Sequence, residues 1–230
     1  MTRRLRVGVT GAVVLASIGL MAAACTGSPS GTPAGTNAGA NGGTVAPSTP
    51  AATRRLVWAA PTNPMERTLA AGLQPETSEH LEYHVHAHLD VFIDGQPVLV
   101  PAGIGINTQD PDVHTFAEAD GSSSYGGIQV CGVPCISPLH THFQSGIIHT
   151  ESATPEPNML GQLFTEWGVE LSASCVGELC TPEKPIAFYV NGEPYTDDPT
   201  AIELADRAEI AVVIGTPPAT IPATADFTQE

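Results

Sequence analysis

Tyr83-His84-Val85-His86-Ala87-His88-Leu89-Asp90 carries a histidine at every second position. Successive side chains leave opposite faces of a β-strand, so His84, His86, His88 and Asp90 share one face while Tyr83, Val85, Ala87, Leu89 and Val91 share the other. The apolar face must look into a core, which leaves the histidines on the far side of the sheet. A second cluster, Leu139-His140-Thr141-His142, repeats the spacing and continues to His149 and Glu151.

Outward from the first stretch, the strand runs on to Ile93 and into Asp94-Gly95, a pair suited to a two-residue hairpin because both positions accept positive φ. Val98 to Val100 returns, and Pro97 and Pro101, which lack amide donors, assign that strand to an edge or make it short. Residues 107 to 138 form a long irregular segment holding Asp110, Asp112, His114, Cys131 and Cys135. Loops of that length are usually functional or stapled. Leu139 to Phe143 and Ile147 to Glu151 read as short strands. Met159, Leu160, Leu163, Phe164 and Trp167 then fall at helical spacing with Gly168 at the stop, the principal helix of the chain.

Upstream, Thr62-Asn63-Pro64 supplies a cap and a first-turn proline for a short helix with Met65, Leu69 and Leu73 on one side. Downstream, Ile186 to Val190 ends in Asn191-Gly192, a second hairpin pair that echoes the first. Ile202, Leu204, a turn at Asp206-Arg207, and Ile210 to Ile214 supply the last strands. The class is α+β, a β-rich single domain of hairpins with one principal helix, in an order compatible with a β-grasp-like sheet.

Residues 1–24 combine Arg3, Arg4 and Arg6 with an apolar run and small residues before Cys25, the form of an export signal. Met21-Ala22-Ala23-Ala24-Cys25 resembles a lipoprotein signal with Cys25 lipidated, although Ala22 stands where leucine is usual, which leaves ordinary secretion open. Residues 25–58 are rich in Gly, Pro, Ser and Thr and read as a disordered linker. The histidine-bearing domain is assigned to 59–216 and a flexible tail to 217–230.

Removal of residues 1–24 takes three arginines from the 8 Lys+Arg, leaving 5 against 24 Asp+Glu, a formal charge of −19. That balance repels phosphate backbones and anionic lipid heads, which argues against nucleic acid and leaves the lipid anchor as the contact with a membrane. Cys131, Cys135, Cys175 and Cys180 are an even set outside the cytosol. Two disulfides within the close pairs are expected, the alternative being a thiolate metal site.

Of the eight histidines, all but His80 lie between 84 and 149. Neutral imidazole binds Zn(II), Cu(II), Ni(II) and Fe(II) alike. Same-face neighbours stand about 6.6 Å apart at Cα on a rise of roughly 3.3 Å per residue, close enough to chelate one ion, whereas His84 and His88 at twice that are not. The expected first shell takes a pair from His84, His86 and His88 with one or two of His140, His142 and His149. Asp90, Glu151 and, from the long loop, His114 serve as extra ligands or outer partners.

The segments YHVHAHLDVFIDGQPVLVPAGIGI, LHTHFQSGIIHTES, MLGQLFTEWG and FYVNGEPY together resemble a family of exported bacterial proteins, chiefly actinobacterial and several of them lipoproteins, to which no activity is attached. The resemblance spans Glu82 to Gly215 and implies that the histidine strands belong to one module. It supplies no substrate. The sequence therefore leaves three readings: a membrane-tethered copper- or zinc-binding protein, a metal-dependent hydrolase or hydratase with Glu151 as general base, and a metal-free envelope or adhesion module. It assigns no catalytic residue.

Overall fold

The computed structural model describes Arg55 and residues 57 to 228. The signal segment, Cys25 and most of the linker lie outside the described residues. β1 (Tyr83–Ile93) is the axis of a seven-stranded mixed sheet. Along one edge it pairs antiparallel with β2 (Gln96–Val98) through Val91 to Ile93 and with β6 (Ile147–Ser152) through Tyr83 to His88. Along the other it pairs parallel with β11 (Glu209–Ile214). β9 (Ile186–Val190) joins β11 and carries β10 (Glu193–Tyr195) on its outer side, while β5 (Leu139–His140) closes the opposite edge against β6.

Without the short β2 and β5, the order is β6, β1, β11, β9, β10, with the first and last strands of the chain parallel at the centre. The helix α2 (Leu160–Trp167) lies between β6 and β9 in sequence. This is the β-grasp order anticipated from the succession of elements. Asp94 and Asn191 take φ of 50° and 52°, and the glycine after each is also positive, as the two hairpin turns require.

The core follows from the alternation in β1. Ala87, Leu89, Val91 and Ile93 meet Leu160, Leu163, Phe164 and Trp167 of α2, joined by Ile148, Ile210, Val212 and Ile214 from the neighbouring strands. Gly168 ends α2 at φ 79°, the left-handed conformation expected of a glycine stop. Trp58 stands edge-on to Trp167 at 6.0 Å, and the Trp58 carbonyl accepts the Trp167 indole N–H at 3.2 Å, so the chain is docked on the domain by residue 58.

Two details differ from the sequence reading. In the first helix, α1 (Pro64–Ala70), the buried residues are Pro64 and Thr68, while Leu69 is 55 % exposed. Thr68 can be buried because its hydroxyl donates to the Pro64 carbonyl at 3.1 Å, which removes the desolvation cost of a free hydroxyl. The long segment before β5 contains a hairpin of its own, β3 (His114–Ala117) with β4 (Ser123–Gly126). It also has a small core of Ile106, Val113, Ile128 and Ile136 beside the Cys131–Cys135 disulfide. Cys175 pairs with Cys180 across β7 (Cys175–Val176) and β8 (Leu179–Cys180).

The sheet face opposite α2 is divided. Phe92, Ala211 and Val213 form an apolar patch, with Ile221 from the segment after Gly215 packed against it. That segment was read as a flexible tail. It runs without regular structure but buries Phe227, over whose ring the Arg207 guanidinium lies at 5.4 Å. The remaining half of this face carries the histidines.

Candidate metal centre

Strand register brings the histidines together. His86 stands opposite His149 and His84 opposite Glu151 in the β1–β6 pair, while His140 stands opposite His149 in the β5–β6 pair. Residues directly opposite in an antiparallel pair point to the same face. His84, His86, His149, Glu151 and His140 therefore share one face, and His142 follows two residues beyond His140. The result is a group of five imidazoles and one carboxylate, buried at its base and open on one side: His140, His149 and Glu151 are 0 %, 4 % and 3 % exposed, His142 is half-buried, and His84 lies at the solvent edge.

Donor separations suit a cation. His86 Nε2 and His84 Nε2 lie 3.0 and 3.3 Å from His149 Nδ1, and His140 Nε2 lies 3.1 Å from His142 Nε2. Glu151 Oε1 is 3.1 Å from His84 Nε2, 3.4 Å from His149 Nδ1 and 3.8 Å from His140 Nε2. Two donors in a tetrahedral shell with bonds of about 2.0–2.1 Å stand roughly 3.3 Å apart, so these gaps fit donors around a shared ion. Within this cluster the groups that could hold one are His140, His142, His149 and Glu151, and His84, His86 and His149.

Protonation is settled for two of the rings by their outer partners. His140 Nδ1 donates to the Ser137 carbonyl at 2.9 Å, and His142 Nδ1 donates to the Tyr125 carbonyl. A carbonyl oxygen accepts only, so each neutral ring carries its proton on Nδ1 and a lone pair on Nε2. The two Nε2 lone pairs then face each other at 3.1 Å with no proton to share. This is the outer-partner pattern of metal-ligating histidines.

Electrostatics favour the neutral form of His140, His142 and His149. Burial, then repulsion from His142, with Glu151 opposing it, holds His140 well below the usual imidazole range. Burial lowers His142 as well, although the Tyr125 carbonyl and Glu151 oppose it. His149 is held down to about 2 by burial and by the neighbouring His142, His86 and His84. Unprotonated imidazole is the form that binds a metal.

Several contributors carry no signal in the histidine pattern. Glu79 Oε1 lies 3.8 Å from His142 Nε2, and burial together with the charge of Glu151 pushes its carboxyl up to about 7. Glu166 of α2 accepts from the Ser137 hydroxyl at 2.6 Å beneath the carbonyl that orients His140, and burial raises it to about 8. Gly105 at φ 71° passes so close to β5 that a Cβ there would lie 2.3 Å from the Leu139 oxygen and 3.1 Å from His140 Cβ. The Leu139 and His140 contacts come from a loop more than thirty residues upstream, which periodicity cannot reveal.

The remaining candidates lie elsewhere. His88 is directed away from the cluster: its Nδ1 meets Glu209 Oε2 at 2.8 Å and its Nε2 the Ser145 carbonyl at 3.0 Å, with Asp90 in the same group. Burial works against charge on His88, but the hydrogen bond and charge of Glu209, then Asp90 and the Ser145 carbonyl, outweigh it and raise its pKa, while burial raises Glu209 as well. His114 is exposed on β3, stacked on Phe116 at 6.4 Å. Asp110 and Asp112 approach Cys131, whose sulfur is committed to its disulfide. No family model, curated protein or solved structure matches the chain.

Proposed function

We propose that this is an extracytoplasmic protein, tethered through lipid on Cys25, that captures or buffers copper or zinc with His140, His142, His149, Glu151, His84 and His86. The observation that carries the metal is the opposed pair of Nε2 lone pairs on His140 and His142, with both Nδ1 protons committed to backbone carbonyls. Leaving buried acceptors unsatisfied costs about 1–3 kcal/mol each, which a shared cation removes. Capture is favoured over catalysis because the donors are largely enclosed: His140, His149 and Glu151 are almost wholly buried, which leaves the half-exposed His84 edge as the way in. Export is supported by the two disulfides, by the arginine-led apolar segment before Cys25, and by the resemblance to exported lipoproteins. The charge of −19 without residues 1–24 adds a general attraction for cations.

The test is elemental analysis of protein purified without an affinity tag and loaded with Cu(II) or Zn(II), beside a His140→Ala/His142→Ala variant. At least one equivalent is expected in the parent and a loss of tenfold or more in affinity in the variant. Equal metal content in the two, or none in the parent, refutes the reading.

A further inference from the structure

A second donor group lies on the same sheet face, where β1 meets β11. The two strands run parallel with His88 opposite Glu209, and Asp90 stands two residues beyond His88, opposite Ala211 of the apolar patch. Alternation gives the three side chains one face, and the spacing of about 4.8 Å between neighbouring strands brings them within reach of one another. One donor atom from each lies within 4.8 Å of the other two, the span of ligands around an ion with bonds of about 2.0–2.6 Å. All three residues are buried.

The ring is oriented for such a role. His88 Nε2 donates to the Ser145 carbonyl at 3.0 Å, and a carbonyl only accepts, so the neutral ring presents the lone pair of Nδ1 to Glu209 Oε2 at 2.8 Å. An outer contact of this kind fixes the tautomer of a metal-binding histidine. Gly146 permits it. At φ 92° it brings the loop so near that a Cβ there would lie 2.9 Å from His88 Nε2.

A proton shared between Nδ1 and Oε2 would satisfy that single contact. It would leave Glu209 Oε1, which is buried with no hydrogen-bond partner among the described residues, on a side chain 0 % exposed. A buried carboxylate oxygen left unpaired is costly, and a cation bonded by both Glu209 oxygens removes the cost.

We propose that His88 Nδ1, Asp90 and Glu209 bind a divalent cation of the Mn(II) class, at a site separate from the imidazole pocket. One imidazole and two carboxylates make a harder donor set than five imidazoles and one carboxylate. Carboxylate oxygen suits manganese, whereas imidazole suits copper and zinc. In their ionised form the two carboxylates balance a dication. This site goes beyond metal capture by the histidine pocket and does not depend on it.

The experiment titrates Mn(II) into metal-free, tag-free protein and follows the solution signal of the free ion by electron paramagnetic resonance, which is lost on binding. One equivalent is expected to bind to the parent, with spin-echo modulation from one imidazole, and equally to His140→Ala/His142→Ala. Glu209→Gln and Asp90→Asn, each checked for folding by circular dichroism, should weaken binding tenfold or more. No bound Mn(II) in the parent, modulation from several imidazoles or from none, or parental affinity in both folded carboxylate variants overturns the site. Binding lost in His140→Ala/His142→Ala and kept in Glu209→Gln overturns it as well, by placing the ion in the histidine pocket. Mn(II) bound as expected in a protein that takes up no Cu(II) or Zn(II) in that pocket supports this site and removes only the capture reading.

Discussion

His140 and His142 owe their chemistry to atoms that are not their own. Each Nδ1 is held by a carbonyl, of Ser137 or Tyr125, and it is this outer contact that turns two adjacent histidines into two lone pairs 3.1 Å apart. The position of His140 depends in turn on Gly105. A Gly105→Ala substitution puts an L side chain at φ 71° and a methyl 2.3 Å from the Leu139 oxygen, so β5 must shift. We expect a loss of about 2–4 kcal/mol in chemical denaturation and weaker metal binding than the parent. A variant of parental stability and affinity would show that β5 is not held this way. At this scale the sequence named all the clustered imidazoles, because alternate-residue histidines on a strand are rare and share a face. It could not separate His88 from them. That separation comes from Glu209 on a strand more than a hundred residues later, which takes the His88 ring for itself.

The elements explain why the donors stay in place. β1 carries core residues and histidines on alternate faces, so packing α2 against Ala87, Leu89, Val91 and Ile93 orients His84 and His86 at the same time. α2 also reaches the site directly, through Glu166 to Ser137 and so to His140. Glu166 titrates at about 8 when folded and near 4.5 when unfolded, because burial disfavours its charge. Between those values the folded state holds the extra proton. Its contribution therefore falls as pH rises from about 4.5 to 8, by up to about 1.4 kcal/mol per pH unit, and is level above 8. The neutral buried imidazoles act oppositely below about 6.5, so the difference from Glu166→Gln isolates the carboxyl. Metal-free Glu166→Gln should gain on the parent steadily across that window, by a few kcal/mol at pH 8, in urea denaturation. A gap that does not change with pH would place Glu166 outside the titration. Helix α2 and both hairpin turns were legible from spacing and from the Asp-Gly and Asn-Gly pairs. The β3–β4 hairpin was not, because its strands are short, polar and largely exposed, and so carry no apolar alternation to read.

Over the whole molecule, the β-grasp order sets β1 beside β11 and leaves β6 and β5 to extend the sheet on the ligand side. The succession of strand and helix signals was compatible with that order but did not determine it. The pairing of the second histidine cluster with the first was a further step, since it depends on β5 and β6 lying next to β1 in a register that matches His149 with both His86 and His140. No local pattern encodes that register. One face of the sheet packs the core, and the other is divided between the histidines and the Phe92, Ala211 and Val213 patch, on which Ile221 packs.

The central claim is that imidazoles of β1, β5 and β6 bind a single cation cluster. X-ray absorption at the metal edge of Zn(II)-loaded, tag-free protein examines those bonds directly. At least three nitrogen scatterers at about 2.0 Å, with the outer-shell scattering of imidazole rings, is the spectrum expected. A shell of oxygens alone, or fewer than two imidazoles per zinc, would contradict it.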